Sequence, residues 1–148
     1  MILLAKDVVG NVKAGFQGLG GLDMSVVRNQ WGRQSESFAH QVQVDTFSEP
    51  FNAVFIRAPV VHTVELKPTS GGDKDEPRLE VLARVPRSIL PLPTRASLTT
   101  GGTELGPDAD VVMVKQGNVV ASSFHPELTG DYRVHEWFVK SLILAAAD

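Results

Sequence analysis

Val111-Val-Met-Val-Lys-Gln-Gly-Asn-Val-Val-Ala-Ser-Ser-Phe-His-Pro-Glu-Leu-Thr129 carries two strands and a turn. Its first five residues form a valine-rich run, the composition of a buried strand. Gln116-Gly117-Asn118 reads as a tight turn and Val119 to Phe124 as the returning strand. Pro126 has no N–H to donate, so the strand stops or lies at an edge there. His125 and Glu127 stand two positions apart, and in extended chain that spacing puts both side chains on one side. On spacing alone two readings stay open. A histidine and a carboxylate held at a strand end can be the base and the orienting group of a nucleophilic triad. They can equally be an incidental salt link on a solvated strand end, since His-x-Glu is frequent by chance.

The composition sets the frame for that choice. The 148 residues suit one domain with a real core, and 43% hydrophobic with 21% charged residues is ordinary for a globular protein. A net charge of −3 gives no reason to expect nucleic acid or an acidic lipid surface as a partner. No apolar run is long enough to span a membrane, and Met1 to Ala5 lacks the basic leader of a secretory signal. The expected location is cytoplasmic. There is no cysteine, so these residues supply neither disulfides, nor thiolate metal ligands, nor a thiol nucleophile. Four scattered histidines without cysteine do not suggest a metal site.

Outward from the hairpin, the elements alternate in type. Met1 to Val9 is apolar with helix formers, and Gly10 is a plausible stop, so a helix is expected. Five glycines between residues 10 and 23 read as a flexible connection; no Gly-Lys-Ser/Thr follows to make a phosphate cradle. Met24 to Asn29 is expected to be a short strand leading into a turn. Ser37 to Asp45 alternates, with Phe38, His40, Val42 and Val44 on one face and Ala39, Gln41, Gln43 and Asp45 on the other. Ala53 to Arg57 reads as a buried strand ended by Ala58-Pro59. Lys67 to Arg78 reads as a polar loop, Leu79 to Val85 as a strand, and Pro86 to Asp110 as largely irregular. From Asp131 to Ala147 a helix is expected, burying Val134, Trp137, Phe138, Leu142 and Ala145, with Thr129 or Asp131 as its cap.

Three blocks, in order, carry a resemblance: Arg28-Asn-Gln-Trp-Gly-Arg-Gln-Ser-Glu-Ser-Phe38, Val54-Phe-Ile-Arg-Ala-Pro59 and Ser123-Phe-His-Pro-Glu-Leu-Thr-Gly-Asp-Tyr-Arg-Val-His135. Together they resemble the glutaminase subunit of pyridoxal 5'-phosphate synthase, a class I (triad) glutamine amidotransferase. The His-Pro-Glu piece is shared by many class I amidotransferases, whereas the Arg28 block is much narrower. It counts against a glutaminase serving nucleotide or amino-acid synthesis. The resemblance covers nearly the whole chain apart from residues 67 to 110, where a loop-rich insertion in a single partial domain is expected.

What the resemblance implies is specific. The fold is α/β, the C-terminal part of a flavodoxin-like three-layer amidotransferase fold. Glutamine is hydrolysed to glutamate and ammonia; His125 and Glu127 match the catalytic histidine and carboxylate, and Arg28, Ile56 and Arg57 match positions associated with glutamine binding. Arg33 and Arg133 match family positions read as structural. No cofactor is implied for this subunit; pyridoxal 5'-phosphate would be made on a partner synthase subunit from sugar phosphates and the released ammonia. In the family a Gly-Thr-Cys-Ala-Gly nucleophile elbow runs into a helix that reads very like Met1 to Lys6. On that reading the chain starts just past the elbow, without the first strands of the sheet and without the nucleophile, and is inactive as it stands. The alternative is a non-catalytic remnant that still binds the synthase subunit.

Overall fold

The computed structural model describes residues 1–9, 18–28, 30–31, 37–65, 77–90 and 105–144. The glycine-rich stretch 10–17, Arg33, the segments 67–76 and 91–104, and Ala145 lie outside the described residues. The strands, in chain order, are β1 (Ala5–Val9), β2 (Leu22–Val27), β3 (Phe38–Val42), β4 (Phe51–Phe55), β5 (Val60–Val64), β6 (Leu79–Arg84), β7 (Val111–Gln116) and β8 (Val119–Ser122). Among the described residues one α-helix, α1 (Arg133–Phe138), runs on into a π-helical segment, Val139–Leu144. No helix among the described residues is long and apolar enough to cross a membrane.

The valine run from 111 to 114 becomes the central β7 because it can be buried on both faces. Val111, Val112, Met113 and Val114 are all inaccessible. β6 and β8 flank β7, both antiparallel to it. Gln116 pairs with Val119, which leaves Gly117-Asn118 as a two-residue loop. Gly117 takes φ +56° there, a conformation only glycine adopts cheaply. β1 and β2 pair in parallel, β5 runs antiparallel to β2, and β3 with β4 forms a separate hairpin. An isolated bridge, Val44 to Ala83, ties the chain just after that hairpin to β6.

Two apolar clusters result. Val111 and Val114 belong to one with Leu22, Met24, Val26 and Val61. Val112 and Met113 belong to the other with Phe51, Phe55, Phe124 and Val134. The second contains the aromatic stack that the site stands on. The alternation predicted from Phe38 to Asp45 is present: Val42 and Val44 are buried, while Ala39, Gln41, Gln43 and Asp45 are exposed.

Two local expectations are corrected. Met1 to Val9 is not a helix. One turn closes at its start, with the N–H groups of Leu4 and Ala5 both donating to Met1 O, and the chain then enters β1. Helix propensity yields to pairing, since Asp7, Val8 and Val9 are in register with Ser25, Val26 and Val27. β5 was not anticipated after Pro59, although Val60-Val-His-Thr-Val64 has four β-branched residues in five. The C-terminal helix keeps Val134 and Leu142 buried as expected, with Trp137 and Phe138 half-buried. Its N-cap is Tyr132, and the Asp131 carboxylate accepts the Arg133 N–H at 3.1 Å.

Candidate active site

β8 ends at Ser122, and the next three residues are each tied down. Ser123 N–H donates to Val112 O at 2.8 Å, and Ser122 Oγ donates to Phe124 O at 2.9 Å. Phe124 is buried and meets Phe51 at 5.6 Å and Phe55 at 6.0 Å between ring centroids. Phe55 in turn stacks on Phe38 and Trp31. His125 N–H donates to Val54 O on β4 at 2.8 Å. The backbone of His125 is thus held between the hairpin β7–β8 and the strand β4.

Pro126, with its preset φ, opens a 3-10 turn over Pro126–Leu128. The turn brings Glu127 round so that His125 Nδ1 and Glu127 Oε1 lie 2.8 Å apart. The two side chains meet, as their spacing suggested, but through a turn rather than along an extended strand. Both remain accessible, at 42% and 57% of their side-chain surface. The hydrogen bond from His125 lowers the Glu127 carboxyl from its ordinary 4.5. An ionised Glu127 accepting from Nδ1–H selects one imidazole tautomer. Nε2 then carries the lone pair and can take a proton from a neighbouring nucleophile.

The three residues expected to bind glutamine lie at strand ends. Arg28 directly follows β2 and is exposed. Ile56 and Arg57 directly follow β4, two and three residues beyond the Val54 carbonyl that holds His125. Val27, before Arg28, pairs with Val60, just after the Ile56–Pro59 bend. The register therefore sets the Arg28 turn and the Arg57 bend at the same end of neighbouring strands. No hydrogen bond or ion pair joins Arg28 to the His125–Glu127 pair among the described residues. Arg57 has φ +46°, the one positive value on a non-glycine residue among those described. Such backbone strain concentrates at functional sites, and the sequence carries no sign of it. No group of three or more His, Asp or Glu side chains among the described residues is arranged to hold a metal.

Residues 1–90 and 101–144 match the SNO glutamine amidotransferase family. The chain belongs to that family. Among its relatives is the pyridoxal 5'-phosphate synthase subunit PdxT of Rhodococcus opacus, 43% identical over 140 residues, which are 94% of this chain and 56% of the relative. The PdxT subunits of Rhodococcus jostii and Leifsonia xyli are 44% and 40% identical over 140 residues, again 94% of this chain. They are covered to 56% and 54% of their own lengths. The chain spans a little over half the length of these curated relatives. A crystal structure of a glutamine amidotransferase superimposes with a TM-score of 0.60 at 37% identity, over 94% of this chain and 55% of that one. The mixed α/β architecture is that of a class I glutamine amidotransferase.

Proposed function

We propose that the chain is the His–Glu-bearing part of the glutaminase subunit of a pyridoxal 5'-phosphate synthase. In that reaction a cysteine thiolate attacks the side-chain amide carbon of glutamine. His125 Nε2 takes the thiol proton and returns it to the departing ammonia. Water then attacks the thioester, with His125 as the base again, and glutamate leaves. Glu127 holds His125 Nδ1–H and stabilises the imidazolium that forms in each half. Arg28 has the fixed, doubly donating group suited to the carboxylate of glutamine. Ile56 and Arg57 complete that site from the strained bend after β4. The ammonia passes to a synthase subunit, and the assembly works in the cytoplasm. The region around 67–110 is a loop-rich insertion on a single partial domain.

The observation that carries this reading is the 2.8 Å contact between His125 Nδ1 and Glu127 Oε1 on the turn that begins at His125-Pro126. The 148 residues contain no cysteine, so they hydrolyse no glutamine by themselves. That absence also favours a second reading, a non-catalytic family member that still binds the synthase subunit. The test is a fusion in which the N-terminal part of the Rhodococcus opacus relative, up to the start of the match, precedes residues 1–148. Ammonia release from glutamine by the fusion, lost in His125→Ala, is the expected result. A fusion that folds and binds glutamine but releases no ammonia would leave the binding-only reading.

A further inference from the structure

We propose that Arg133 is a positioning residue for the His125–Glu127 pair, acting through one arm to each partner. This rests on the assignment of that pair to the reaction. The pair itself is exposed, and exposed ion pairs do little to hold two side chains in one geometry. Something else must keep the turn and the strand end in register.

The Arg133 guanidinium lies between the carbonyls that precede β4 and the Asp131 carboxylate. On one side its Nη1 donates to Glu49 O at 2.7 Å and its Nη2 to Pro50 O at 2.9 Å. Its plane lies over the ring of Phe47 at 5.2 Å and near that of Phe51 at 5.9 Å. Phe51 touches Phe124, the residue before His125. On the other side Nε and Nη2 donate to the Asp131 carboxylate at 3.0 and 2.6 Å. The Asp131 N–H donates to Thr129 Oγ1 at 3.3 Å, and Thr129 Oγ1 donates to Pro126 O at 3.2 Å. That second arm ends on the turn carrying Glu127. The donations come from three nitrogens spread over a planar fork, a geometry that the single nitrogen of a lysine ammonium does not reproduce. Charge alone should therefore not replace it.

The experiment is imidazole nitrogen–proton spectroscopy of the nitrogen-15-labelled chain at about pH 8, where an ordinary imidazole is neutral. His125 is assigned by comparison with His125→Gln. The wild-type chain should show His125 as the Nδ1–H tautomer. Arg133→Lys should move it to the Nε2–H form, and so should Thr129→Val, which cuts only the second arm. Gly117→Ala, which strains the distant β7–β8 turn, should lower stability and leave the His125 signal unchanged. An unchanged His125 signal in Arg133→Lys, at whatever melting temperature, overturns the proposal. If Arg133→Lys does not fold, Thr129→Val decides it: a moved signal supports the second arm, and an unmoved one overturns it. Failure of the glutaminase reading shows separately, as a folded fusion that releases no ammonia or one whose ammonia release survives His125→Ala.

Discussion

Truncating Phe124 to alanine removes the buried side chain beside His125 at the end of β8. Phe124 is only 3% exposed and meets two rings, at 5.6 and 6.0 Å, inside the larger core cluster. A buried Phe→Ala change costs about 3–5 kcal/mol, transfer and cavity included. Ring pairs contribute roughly 0.5–1.5 kcal/mol each within such a total. Phe124→Leu keeps most of the apolar volume and loses chiefly the two ring contacts, about 1–3 kcal/mol. A domain of this size has roughly 5–15 kcal/mol of stability, so Phe124→Ala consumes a large part of it. Urea unfolding followed by circular dichroism reads both variants against the wild-type midpoint. Heating should show a loss of about 10 °C for Phe124→Ala. An alanine variant within about 1 kcal/mol of wild type, or one no worse than the leucine variant, would refute the claim that this ring anchors His125.

Gly106→Ala puts a Cβ 2.0 Å from the His62 carbonyl oxygen and 2.6 Å from its Nδ1, so thermal melting should show a loss of roughly 1–3 kcal/mol or more. Gly117→Ala forces a side chain to φ +56° with Pro77 3.2 Å away, and urea midpoints should report about 1–2 kcal/mol. Glu127 has its folded pKa lowered by the hydrogen bond from His125, so the stability it contributes is present above the ordinary value of 4.5 and is lost as pH falls through the lowered one. Because the pair is exposed, the contribution stays under about 1 kcal/mol. Urea midpoints of wild type and Glu127→Gln should therefore converge as the solution is acidified; a gap that stays constant into acid would count against the pairing.

The features legible in the sequence were those whose pattern is local. The β7–β8 hairpin follows from a valine run, a glycine turn and a second apolar run, and β3 from alternation that persists to Val44. The pairing of His125 with Glu127 was expected, but its route was not. Pro126 starts a 3-10 turn, and it is that turn, not an extended strand, which closes the contact. The start of the chain misled because Leu, Ala and Lys favour helix, while the deciding interaction is β1 lying parallel to β2, more than a dozen residues away. β5 was hidden behind Pro59. The left-handed backbone of Arg57 and the two arms of Arg133 are tertiary facts, set by partners remote in sequence, and no local pattern announces them.

The claim that His125 is the base partner of a nucleophilic thiol is tested most directly by the pH dependence of thiol alkylation in the fusion with the Rhodococcus opacus N-terminal part. A thiol beside an effective base ionises well below the ordinary value of about 8.5. The account predicts an iodoacetamide rate whose inflection lies well below that value in the wild-type fusion and returns to about 8.5 in His125→Ala. The same inflection in both proteins would contradict it.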